Sequence, residues 1–83
     1  KTMIKVKVKC FSQVKYALGI DELSFELEVG TTTLGLEKLI REKANGQLDD
    51  LSLRVAVNQK YIPEELVLAH NDEVAFIPPV QGG

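Results

Sequence analysis

The chain has 83 residues, 45% of them apolar and 27% charged, with a formal net charge of −2. The apolar share is too high for a disordered chain, and the charge has the wrong sign for a nucleic-acid binder, which leaves one small globular domain. One cysteine closes no internal disulfide, no apolar run approaches the ~20 residues of a membrane-spanning helix, and the N-terminal residues do not read as a secretory signal. The expected setting is therefore the cytosol, without nucleic-acid or membrane partners.

Residues 4–10 place apolar side chains at Ile4, Val6, Val8 and Cys10, and lysines at positions 5, 7 and 9. Side chains alternate across a strand, so this predicts a strand with one buried and one wet face. Val14, Ala17 and Leu18 have helical spacing, and Gly19 suits the end of a short helical turn. Residues 22–29 repeat the alternation with opposite charge: Leu23, Phe25, Leu27 and Val29 on one face, Glu22, Ser24, Glu26 and Glu28 on the other. If the two strands pair, lysines face glutamates on the solvent side, each pair contributing ~0.2–1 kcal/mol.

Gly30 interrupts this strand, and Thr31, Thr32 and Thr33 offer capping hydroxyls to the next helix. Leu36, Leu39, Ile40 and Ala44 form its predicted apolar stripe, and Asn45-Gly46 ends it. Leu51, Leu53, Val55 and Val57 predict a third strand. After a turn at Asn58-Gln59-Lys60, Tyr61-Ile62 reads as a short edge strand that Pro63 stops. A turn at His70-Asn71-Asp72 leads to a last strand, Glu73 to Ile77, closed by Pro78-Pro79. The expected class is α+β in the order ββαββ, a mixed sheet packed on one main helix. Residues 1–83 form a single domain with 78–83 as an extended, flexible C-terminal tail.

No metal-ligand cluster, P-loop or dinucleotide fingerprint is present. His70 reads as a surface residue of a polar turn, and Cys10 as a small core residue. The last strand is less ordinary. Val74 and Phe76 share one face, Ala75 and Ile77 the other, so both faces are apolar. One helix can hardly cover both sides of a sheet, so either this strand lies in a two-sided core or an apolar residue near Phe76 belongs to an interface. Phe11, which breaks the alternation of the first strand, and Tyr61 at an edge are further interface candidates.

Pro78, Pro79, Val80, Gln81, Gly82 and Gly83 follow that strand directly. Extended, six residues reach roughly 20 Å. The prolines stiffen the base, and the glycines keep the tip narrow enough for a partner to grip its backbone. Such a tail offers one chemical group, its terminal carboxyl. With a pKa of about 3.3–3.7 that group is an unreactive carboxylate at neutral pH and needs activation, most simply as a mixed anhydride with a nucleotide phosphate. The chain shows no nucleotide site, so the activating machinery is expected in a partner. A frayed terminus is the bland alternative.

The segment Asp72-Glu73-Val74-Ala75-Phe76-Ile77-Pro78-Pro79-Val80-Gln81-Gly82-Gly83 resembles the C-terminus of the small, sulfur-carrying subunits of molybdopterin synthase. Phe11-Ser12-Gln13 and Val55-Ala56-Val57-Asn58-Gln59 resemble that family's N-terminal region and its central strand and turn. The resemblance implies a ubiquitin-like β-grasp fold. It implies that Gly83 is adenylated by a partner related to ubiquitin-activating enzymes, which uses ATP and magnesium, and is then converted to a thiocarboxylate. Its sulfur would pass to cyclic pyranopterin monophosphate in the active site of the large subunit, within a heterotetramer, to build the dithiolene of molybdenum cofactor. It also implies that Phe11, Tyr61 and Phe76 contact the large subunit, that Gln81 does no chemistry, and that the chain itself holds neither metal nor cofactor. A carrier for thiamine-thiazole synthesis or tRNA thiolation, a ubiquitin-like modifier joined to lysines, and a plain binding module stay open beside this reading.

Overall fold

The computed structural model describes residues 2–79. Its elements in chain order are β1 (Met3–Cys10), α1 (Ser12–Leu18), β2 (Glu22–Glu28), α2 (Thr33–Lys43), β3 (Arg54–Val57), β4 (Lys60–Tyr61) and β5 (Glu73–Ile77). One five-stranded sheet runs in the order β2-β1-β5-β3-β4. The first and last strands lie parallel at its centre, and every other neighbouring pair is antiparallel.

The alternating pattern accounts for the core. Ile4, Val6, Val8 and Cys10 are buried, while Lys5 and Lys7 face solvent. Leu23, Val8, Val74 and Val57 form a row across four strands, and Cys10, Phe76 and Val55 form the next. The helix α2 lies against this face with Thr33, Leu36 and Ile40 buried, and Ala44 and Leu48 continue the buried line past its end. Leu39, expected on that stripe, is exposed, because the observed stripe of 33, 36, 40 and 44 turns it outward. Val29, expected on the core face of β2, is also exposed; the strand ends one residue earlier.

Two helix ends follow local chemistry. The Thr32 hydroxyl accepts the Gly35 amide at 3.3 Å and caps α2. Gly19 closes α1 with φ +72°, a conformation that costs a residue with a Cβ about 1–2 kcal/mol. Beyond α2, Arg41 donates to the carboxylate of Glu37 at 2.9 Å, to the Leu48 carbonyl and to the Leu51 carbonyl at 2.7 Å. This clamp holds residues 48–51 against the flank of the helix. It explains why β3 begins at Arg54 rather than at Leu51, although Leu51 and Leu53 keep the expected half-buried alternation.

The start of β5 is set by a polar knot. The Asn58 side chain donates to Asp72 at 3.0 Å and accepts the Glu73 amide at 3.0 Å. Asp72 in turn accepts the Ala69 amide at 2.8 Å, and the Asn71 amide donates to the Lys5 carbonyl at 2.7 Å. The exposed His70 takes part as well: its Nδ1 accepts the Lys5 amide at 3.0 Å. Asn58→Ala removes two of these bonds, and a loss of roughly 1–3 kcal/mol in urea-unfolding stability is expected. In the same hairpin, Asn58 and Gln59 both have positive φ, +51° and +71°, as a two-residue type I′ turn requires. Gln59→Gly removes the strain at the second position; a gain of about 0.5–1 kcal/mol, seen as a melting temperature a few degrees higher, is the expected result.

Candidate functional site

The register of β5 decides which side of the last strand meets the core. Phe76 stands opposite Cys10 on β1 and Val55 on β3, both core-facing, and is fully buried at 0% exposure. The expectation that Phe76 contacts a partner is therefore corrected: it is a central core residue with no surface to offer. Ala75 and Ile77 have the opposite parity, point to the uncovered side of the sheet and are half-buried.

That uncovered side divides into two halves. Across β2 and β1 it carries the glutamates and lysines read from the sequence, with Lys5 opposite Glu26 and Lys9 opposite Glu22. The ion pairs run diagonally, Lys7 to Glu22 at 3.6 Å and Lys9 to Glu73 at 3.9 Å. These groups are largely exposed, so each contributes little to stability. Across β5, β3 and β4, between Glu73 at one end and Arg54 at the other, the face is apolar: Ile77 and Ala75, then the buried Ala56 opposite Ala75, then Tyr61 opposite Ala56. Tyr61 is 62% exposed.

Phe11 completes this half. Its backbone is extended, with φ −125° and ψ 147°, so it continues the alternation of β1 and takes the parity of Lys9. Continued one step past the Cys10–Phe76 pair, the parallel register puts Phe11 in line with Ile77; Phe11 is 46% exposed. At strand spacings of about 4.8 Å, the patch from Phe11 to Tyr61 spans roughly 14 Å. Phe11 and Tyr61, picked from the sequence, thus share one face, and Ile77 joins them in the place expected for Phe76. The available signal was the double apolar face of residues 74–77; sequence alone did not say which parity was core.

The patch lies at the root of the tail. Pro78 is buried and Pro79 exposed, so the packed part of the chain runs one residue further than the expected boundary at 78. Val80, Gln81, Gly82 and Gly83 lie outside the described residues. Beside the root, Cys10 is buried; burial first, and the nearby Asp21 charge second, push its thiol above the ordinary value. It stays protonated at neutral pH and is a poor nucleophile, in keeping with its reading as a core residue. Among the described residues no group of three or more His, Cys, Asp or Glu side chains could hold a metal ion, and no helix is long and apolar enough to cross a membrane.

Comparison with known proteins agrees with this architecture. Residues 8–83 match the ThiS family. A molybdopterin synthase sulfur carrier subunit of Mycobacterium tuberculosis is 39% identical over 85 residues, which cover 98% of this chain and 100% of that protein. Among solved structures, the complex of subunits 1 and 2 of the molybdopterin-converting factor from Helicobacter pylori contains a chain that superposes with a TM-score of 0.64 at 26% identity, covering 96% of this chain and 100% of that one. The small archaeal modifier protein 1 of Methanosarcina acetivorans superposes with a TM-score of 0.78 at 24% identity over the full length of both, which shows a shared β-grasp fold. A ubiquitin-like sheet, the double-proline exit from its central strand and this degree of likeness lead to one conclusion: the chain belongs to the ThiS family and, within it, to the molybdopterin synthase sulfur carrier subunits.

Proposed function

We propose that this chain carries sulfur on its C-terminal carboxyl for molybdopterin synthesis. The observation that carries the reading is the apolar patch of Phe11, Ile77, Ala75, Ala56 and Tyr61, set at the root of the strand that leads into Gly82-Gly83. A partner that covers this patch receives the tail at its own active site.

The chemistry follows from the carboxylate. An adenylating partner, using ATP and magnesium, joins the Gly83 carboxylate to the α-phosphate and releases pyrophosphate. Sulfur at the oxidation level of hydrosulfide attacks the acyl carbon, the carbon–oxygen bond to AMP breaks, AMP departs, and a thiocarboxylate remains. In the active site of a large synthase subunit the sulfur bonds to a carbon of cyclic pyranopterin monophosphate and displaces an oxygen substituent, which leaves with the electron pair of the broken carbon–oxygen bond. Water then cleaves the acyl–sulfur bond and restores the carboxylate. Two carriers at the ends of a large-subunit dimer give a heterotetramer, and the cytosol is the setting that its reduced cysteine and partners suit. The chain's own part is to present, position and release its tail; the polar knot at residues 58 and 69–73 holds the strand from which the tail starts.

Two measurements test this. Intact mass of protein made together with its activating enzyme should show one oxygen-to-sulfur increment, confined to Gly83 and lost when Gly83 is deleted; full-length protein that never gains the increment sinks the carrier reading. For the interface, Ile77→Asp should weaken association with the large subunit by at least about 2 kcal/mol, roughly 30-fold, while circular dichroism shows the isolated domain folded. Phe76→Asp is expected to unfold the domain instead, since it places a charge in the core.

A further inference from the structure

We infer that Arg54 is the charged selector of this docking face and pairs with a carboxylate of the large subunit. The inference rests on the reading above, that the apolar half of the sheet is covered by that partner.

Arg54 opens β3 directly opposite Ile77, the last residue of β5, and shares the parity of Ala56, Ala75 and Ile77. It therefore stands at the root of the tail, on the face to be covered. It is exposed, and among the described residues it makes no ion pair and no side-chain hydrogen bond. Among the described residues Lys5, Lys38, Lys43 and Lys60 make no ion pair either, so what sets Arg54 apart is its place opposite Ile77; the paired cations show what commitment looks like in this chain. Arg41 is committed to Glu37 and two carbonyls, Lys7 and Lys9 to glutamates, and Lys15 to Asp21 at 2.8 Å. Arg54 also borders a hollow of about 740 Å³ between the start of α2 and β4, which Glu37, Glu64 and Glu65 line too. None of these three carboxylates reaches it within ion-pair distance, and Glu37 is held by Arg41.

A partner that covers Ile77 and Tyr61 takes this guanidinium out of water. A guanidinium cannot shed its proton to escape that cost, and its planar donor fork matches a carboxylate in two parallel hydrogen bonds. An apolar surface opposite Arg54 would leave the charge unpaired and be rejected. The pairing sits one residue pair from the tail, so it also fixes the rotation of the carrier on its partner and with it the direction in which the tail leaves.

The test is association with the cognate large subunit, measured for wild type, Arg54→Met, Arg54→Glu, Ile77→Asp and Lys38→Glu. Lys38 is exposed on α2, away from the face, and its reversal changes net charge as much as Arg54→Glu does. Arg54→Met should bind about 10-fold weaker and Arg54→Glu about 100-fold weaker, with a smaller dependence on salt, and Lys38→Glu should bind within about twofold of wild type. Both Arg54 variants should melt with wild type, because Arg54 makes no ion pair or side-chain hydrogen bond among the described residues. A carboxylate-to-lysine change in the large subunit should restore Arg54→Glu binding. Binding of both Arg54 variants within about threefold of wild type, with Ile77→Asp defective, overturns the inference and leaves the proposed function standing. A wild-type chain that does not bind the large subunit overturns both.

Discussion

The parallel pairing of β1 with β5 is the constraint on which the rest of the molecule depends. It joins the two ends of the described chain at the middle of the sheet, and it does so in one register, with Val8 against Val74 and Cys10 against Phe76. A slip of one residue would turn every side chain of β5 to the opposite face, burying Ala75 and Ile77 and exposing Val74 and Phe76. The larger core residues oppose that slip, and so does the turn before β5. Lys5 and Lys7 of β1 are bonded to His70, Asn71 and Asp72, and Asn58 ties the β3–β4 turn to the same place. Core packing and polar bonds thus select the same register.

The same pairing separates two kinds of surface on the uncovered side of the sheet. The outer half, on β2 and β1, is a mixed-charge lattice in which Lys7 pairs with Glu22, and Lys9 reaches across to Glu73 at the start of β5. The inner half, on β5, β3 and β4, is apolar and carries Arg54 at its edge. A face built this way is readable by a partner at both levels: area for affinity from the aromatic and aliphatic residues, and discrimination from a charge that the chain itself leaves uncommitted.

Much of this was legible in the sequence because it depends on short periods. The lysine-apolar alternation of residues 4–10 gave β1, and the i, i+4 spacing of Leu36 and Ile40 gave α2. What stayed hidden depends on contacts distant in the chain. Phe76 and Ile77 are adjacent and both apolar, so only the pairing with Cys10, 66 residues away, tells core from surface. His70 looked like an ordinary turn residue because its acceptor role involves an amide 65 residues away. Arg41 fitted the dipole of a helix end, which concealed its hold on residues 48–51. Phe11 stood out because it broke the alternation of the first strand, and Tyr61 because it lay on a short edge strand stopped by Pro63; both cues are visible without the fold.

The burial of Pro78 has a consequence for how the two ends of the binding event cooperate. Pro78 is packed and Pro79 exposed, and a fully extended run of five residues such as 79–83 has a contour of roughly 16–18 Å. On the proposed function, seating the sheet face confines the Gly83 carboxyl to a small volume around its destination, which corresponds to an effective concentration in the millimolar range or above. A weak grip on the glycines then suffices, and the avidity of face and tail together can far exceed either alone. The same proposal makes the tether a ruler: an active site lying beyond that contour from the docked face is out of reach however reactive it is.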